Sequence, residues 1–106
     1  MSATSAGGNY GVYNADSSPT IESSSVIASG GTNFGIYNAT TGGSFTVKVT
    51  NSKVVGSSNT INTIPSYTTL VVASQLSGGA VGGGGTVTCI ATYDEAFVAP
   101  GYTTCP

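Results

Sequence analysis

Asp94 and Glu95 are the one adjacent acidic pair in a chain of 106 residues that carries four carboxylates, two lysines, no arginine and no histidine. General acid–base work needs two carboxylates converging on one bond. Neighbours on an extended chain point to opposite faces, so the pair reads as a solvated turn before Phe97, with a surface Ca²⁺ site as the rival reading. Without histidine, neither Ser-His-Asp nor Cys-His chemistry can be assembled, and the commonest zinc ligand is missing. The glycines at 78–85 lack the lysine and the following helix of a phosphate loop. No catalytic residue, metal site or cofactor is expected, and the chain does not read as an enzyme.

The remaining candidates concern contact rather than reaction. Cys89 and Cys105 are the only cysteines and sit near the C-terminus. Read as a disulfide, they place the protein in an oxidising compartment; the rival reading is two free thiols in a cytosolic protein. Tyr13 and Tyr37, 24 positions apart, would form an aromatic stripe, either a platform for sugar rings or plain packing of a strand face. Asn38-Ala39-Thr40 fits an N-glycosylation acceptor, a pattern that arises by chance in so Thr-rich a chain. The threonines do not form the repeated Thr-x-Thr rows that would suit ice binding.

Composition excludes several partners. Two lysines cannot neutralise a row of phosphates, so nucleic acid is not expected, nor is anchoring on an anionic membrane. No apolar run approaches the length of a transmembrane helix, about 20 residues. A surface covered by Ser, Thr, Asn and Gly at a net charge of −2 only weakly opposes self-association. The opening MSATSAGG has neither the charged nor the apolar region of a signal peptide. An oxidised cysteine pair is reconciled with that if Met1 is not native and the chain is part of a longer secreted protein.

These residues need elements to hold them. Helix formers never recur at helical spacing, whereas short runs of Val, Ile, Thr, Tyr and Phe alternate with Gly, Ser and Asn clusters. Strands are expected near 10–14, 19–22, 25–28, 34–38, 44–49, 53–55, 60–63, 68–72, 75–76, 80–81, 86–91 and 96–98. NYGVYN at 9–14 returns as NFGIYN at 33–38. A period of this size marks a structural unit stacked on copies of itself. The repeats run over about 7–30, 31–56, 57–78 and 79–88, with residues 89–106 as a C-terminal cap, all within one domain spanning 1–106. SKVVG (52–56) matches SQLSG (74–78), setting Val54 on Leu76, and NTINTI (59–64) is the worn third copy, keeping Asn59 and Ile61.

Two or three strands per period suit a parallel β-helix whose coils rise about 4.8 Å each. Tyr10 then stacks on Phe34, Val12 on Ile36 and Ile21 on Phe45. By the period of two, Tyr10 and Val12 share one face and Tyr13 takes the other. Asn14 over Asn38 forms an amide ladder or, on the rival reading, each is an ordinary turn former. Glycines at 7–8, 30–31, 42–43 and 82–85 supply corners with positive φ.

The run NYGVYNADSSPTIESSSVIASGGTNFGIYN resembles the tandem repeat of bacterial right-handed parallel β-helix proteins, with copies of the form GxNYGIYN, SSSPTI and ASGG. SQLSGGAVGGGGTVTCIATYDEAF (74–97) is similar to the ending of such proteins. The resemblance implies an all-β, short right-handed parallel β-helix (β-solenoid) with a closing C-terminal segment, within a large secreted or surface protein. About four coils are expected, closed by a disulfide-linked cap that lays Tyr93, Phe97, Pro100 and Tyr102 over the last coil. The N-terminal end shows no cap.

The expected role is thus a non-catalytic extracellular or cell-surface module that associates with itself into a filament, fibre or other appendage. The alternative is an adhesin or glycan-binding wall.

Overall fold

The structure, a computed structural model, describes residues 2–5, 8–39, 42–101 and 104–106, and of residues 2–5 the backbone alone. Gly7, Thr40 and Tyr102 of the sequence reading lie outside the described residues. Among the described residues eleven strands follow one another: β1 (Ser2–Ser5), β2 (Asn9–Ala15), β3 (Thr20–Glu22), β4 (Ser25–Gly30), β5 (Asn33–Ala39), β6 (Phe45–Thr50), β7 (Lys53–Gly56), β8 (Asn59–Thr63), β9 (Tyr67–Val72), β10 (Gln75–Gly78) and β11 (Thr86–Ile90). Among the described residues there is no helix. Val, Ile, Thr and Tyr suit pleated, half-buried strands, and Gly, Ser and Asn punctuate them.

The strands form three sheets: sheet A in the order β1-β4-β7-β10, sheet B in the order β2-β5-β8, and sheet C in the order β11-β9-β6-β3. Every pairing is parallel. From β2 to β10 the chain visits B, C and A in turn, and β11 then adds a last strand to C, an all-β arrangement compatible with a β-solenoid.

Each sheet sends one apolar column inward. Val26, Val54 and Leu76 pair across sheet A. Val12, Ile36 and Ile61 do so across sheet B, and Ile21, Val49, Val71 and Cys89 across sheet C. All are buried except Val12, which is partly buried against them. A fully buried Val, Leu or Ile side chain contributes about 1.5–3 kcal/mol, so these columns are the main source of stability.

Two expectations need correction. Ile21 pairs with Val49 and not with Phe45, which lies beside Tyr67. Ile21 follows Asn14 by seven positions, whereas Val49 follows Asn38 by eleven. β6 therefore begins three residues ahead of the level at which β3 starts, and Phe45 reaches a level that the shorter β3 never enters. The strands expected at 80–81 and 96–98 are absent. Gly82 makes only an isolated bridge to Asn62. At Asp94 the chain turns, its carboxylate accepting from the backbone N–H groups of Ala96 (2.9 Å) and Val98 (3.0 Å). β1, in turn, had no counterpart in the sequence reading.

Glycine is not the only corner former. Gly30, Gly43, Gly78, Gly83 and Gly84 have positive φ, yet so do Ser23, Asn51, Ala73 and Ala91, at 49°, 47°, 49° and 51°. These four occupy the same corner between sheets C and A. After each comes a small hydroxyl residue: Ser24, Ser52, Ser74 and Thr92. Ser24 N–H donates to Ser52 Oγ (3.2 Å), and Ser52 N–H to Ser74 Oγ (3.1 Å). The Ser52 and Ser74 hydroxyls then donate two residues back, to the carbonyls of Thr50 and Val72. A left-handed alanine costs about 1–2 kcal/mol, which this buried ladder offsets.

Cys89 and Cys105 form a disulfide with a Cα–Cα distance of 5.1 Å. Cys89 ends the inward column of sheet C, so the bond holds the tail against the last strand of the core. Closing a loop of this length stabilises a chain by about 3 kcal/mol on the chain-entropy account. Cys105→Ser is expected to lower the thermal midpoint by more than 10 °C, on the scale of about 4–8 °C per kcal/mol for a domain of this size. A midpoint shift under 3 °C in circular dichroism would show that the tail is held without the bond.

Candidate assembly and binding surfaces

β2 and β5 carry the repeated hexapeptide, and the role of each position follows from burial. Asn9 and Asn14 are buried, and so are Asn33 and Asn38. Asn14 Nδ2 donates to Asn38 Oδ1 (2.7 Å), and Asn38 Nδ2 donates to Thr69 Oγ1 (2.9 Å) and Thr63 Oγ1 (3.3 Å). Asn9 Nδ2 donates to Asn33 Oδ1 and to the Ser29 carbonyl, both at 2.8 Å, and Asn33 Nδ2 to Ser57 Oγ (2.8 Å). These are two interior ladders, each passing from amide to amide and ending on hydroxyls, so the asparagines are not mere turn formers. Buried amides require such partners. Asn38 is fully buried, so the Asn-Ala-Thr sequon offers no accessible acceptor in the folded chain.

The aromatic residues lie on the opposite side. Tyr10 and Tyr13 are exposed, 40% and 55%, and their rings meet edge to face at 5.3 Å. They therefore share the outer face, and Val12 is on the inner one. This corrects the expected grouping of Tyr10 with Val12. The cause is Gly11, where a Cβ would lie 2.6 Å from the Val26 side chain and 2.7 Å from the Gly35 carbonyl. Gly11 and Val12 both face inward, and the alternation slips by one position between Tyr10 and Tyr13. β5 repeats the slip at Gly35.

Four rings result. Tyr10 stacks on Phe34 (5.6 Å, 12°) and Tyr13 on Tyr37 (5.4 Å, 17°), while Tyr10 and Tyr37 approach to 5.0 Å. In β8 the places of Phe34 and Tyr37 pass to Asn59 and Asn62. The stack thus ends in amides on one side. On the other, Tyr10 and Tyr13 each keep one ring face uncovered by the stack. A further aromatic, Tyr67, is buried and donates its hydroxyl to the Ser17 carbonyl (3.0 Å) while accepting from Ser17 N–H (3.1 Å). Its burial tethers the loop between β2 and β3, a link with no sequence signal.

The tail behaves differently from expectation. Tyr93 bridges to Gln75 and adds one rung to sheet A. Leu76 N–H donates to the Tyr93 carbonyl (2.9 Å), and Gln75 Nε2 donates to the Asp94 carbonyl (3.0 Å). Phe97 and Val98 are 76% and 56% exposed. Phe97 stacks on Tyr93 at 5.7 Å and does not lie over the core. The turn at Asp94 swings it outward. Beside the tail a cleft of about 370 Å³ runs along β10, lined by Leu76, Gly78, Gly79, Ala80, Val98 and Pro100 among others.

No three His, Cys, Asp or Glu side chains among the described residues gather closely enough to hold a metal ion. Nor, among those residues, is any helix long and apolar enough to cross a membrane. No protein-family model, curated protein or solved structure matches the chain.

Proposed function

We propose that the chain is a short right-handed parallel β-helix of about four coils, of the NYGIYN/SSPTI repeat type. It is a non-catalytic structural module that associates with copies of itself, end on end, into a filament, fibre or other appendage outside the cell or on its surface. The observation that carries this reading is that the parallel sheets end in strands with no further strand beside them, β1, β2 and β3 at one end and β11 and the second half of β10 at the other, whereas residues 79–85 already bond the outer edge of β8. Such edges are templates for further pairing. The low net charge opposes it little, and the disulfide suits an oxidising setting.

Sedimentation velocity over a range of concentrations tests it. The expected result is a mass that grows with concentration, with fibres or stacked particles in negative stain. A monomer mass at every concentration overturns it.

The exposed rings of Tyr10 and Tyr13 favour a second reading, a glycan-binding wall. An aromatic face with a polar handle suits the apolar face and hydroxyl rim of a sugar. Glycan binding would quench tyrosine fluorescence without any change of mass beyond the added ligand.

A further inference from the structure

Sheet A begins with β1 at one end of the molecule and finishes with β10 at the other. In chain order β1 precedes the first strands of sheets B and C, so among the described residues sheet A reaches one strand further at that end. At the opposite end β11 extends sheet C past β9, while the rung beyond β10 holds only Tyr93, opposite Gln75. Sheet A is there most of one strand short. A projection at one end and a recess at the other lie on the same sheet.

The registers fit residue by residue. Ser2 pairs with Ile27, Ile27 with Val55 and Val55 with Ser77, so Ser2 and Ser77 share one column. At the same step Ala3 shares a column with Gly78, where β10 ends; Thr4 and Ser5 then come opposite Gly79 and Ala80, which follow β10 and whose carbonyls accept from Thr60 N–H (3.3 Å) and Asn59 Nδ2 (2.8 Å). The tail pairs with Gln75 and Leu76 and turns away at Asp94; no described tail residue pairs with those four columns, and Val98, Pro100 and Cys105 form the far wall of the cleft. The cleft along β10 lies there, lined by Gly78, Gly79 and Ala80. The column of Ala3 contains Ala28 and Gly78, both small. Gly78 and Gly79 present no side chain against an approaching backbone. Residues 1–15 carry no charged side chain, so the donor strand brings no carboxylate against Asp94 and Glu95, which also line the cleft.

We infer that the cleft beside β10 receives β1 of a second copy as a parallel strand, with Ser2–Ser5 of one molecule over Ser77–Ala80 of the next. The inference rests on the self-association reading and names its contact. The joint is heterologous, head to tail, and repeats without closing. The tail is then no lid over the whole end but a half-rung that leaves the donor strand its place.

The double variant Ser5→Cys/Ala80→Cys tests it under mild oxidation. Position 5 ends β1 and position 80 lies just beyond β10, at opposite ends of one molecule, but they become neighbours between stacked copies. The expected result is a ladder of covalent dimers, trimers and longer species on non-reducing gels, with each single variant stopping at dimers. In the unmodified chain, amide exchange at Gly78 and Ala80, whose N–H groups alternate with those bonded to β7, should slow about tenfold or more from dilute to concentrated solution, which keeps the test independent of how the variant folds. Growth in mass with neither the ladder nor the slowing overturns the β1 joint and leaves self-association standing. A monomer at all concentrations overturns both.

Discussion

Ile36→Asp leaves the chain unfolded, whereas Tyr13→Ser folds and melts close to the parent. Ile36 is fully buried between Val12 and Ile61 in the column of sheet B. The two lysines, Lys48 and Lys53, are both exposed, so an interior carboxylate finds no cation. An uncompensated buried charge costs about 3–5 kcal/mol and more when no group relaxes toward it. Total stability for a domain of this size is about 5–10 kcal/mol. Tyr13 projects outward, and its loss removes ring contacts worth roughly 1 kcal/mol. Far-ultraviolet circular dichroism melts of the two variants check the contrast. Comparable damage from both would mean that the faces of β2 are assigned the wrong way round.

Gly35→Val is expected to destabilise by about 4 kcal/mol, at or beyond the upper end of ordinary overpacking. A Cβ on Gly35 would lie 2.5 Å from the Thr60 carbonyl and 2.5 Å from a Val54 methyl group. One of these neighbours is backbone in a paired strand and has no rotamer to escape into. The substitution also strikes a place where sheets A and B pack closely, since a Cβ on Gly56 would meet the backbone of Gly35. Gly42→Val is the matched control, because a Cβ there meets nothing within 4 Å. Urea titrations of the pair should separate widely. Equal midpoints would mean that sheets A and B have room to part.

Both results turn on a hexapeptide whose meaning was half legible in the sequence. The 24-residue return of NYGVYN showed a stacked unit, because an uninterrupted segment keeps its register through both copies. The 22-residue match of Val54 to Leu76 was visible for the same reason. What strict alternation concealed was the slip at Gly11 and Gly35. A glycine pressed against the neighbouring sheet lets two consecutive positions face inward, and no period-two reading anticipates that. The corner of Ser23, Asn51, Ala73 and Ala91 escaped notice because its members share a backbone conformation and not a residue type. The terminal joint was hidden more deeply. It depends on the level at which each sheet stops, a property of the folded chain and not of any motif.

That same corner has a consequence for how the chain tolerates change in length. Residues 21–26, 49–54, 71–76 and 89–94 line up with no residue added or lost, although their starting points are 28, 22 and 18 positions apart. All variation in the length of a turn is absorbed elsewhere, on both remaining paths: from Val26 to Ile36 is ten positions against seven from Val54 to Ile61, and from Ile36 to Val49 thirteen against ten from Ile61 to Val71. The C-to-A corner acts as a fixed spine, and the opposite side is a free margin. A peptide grafted between β5 and β6 would be displayed without disturbing the phase of any layer beneath it. A single residue inserted after Asn51 would put every later column out of step.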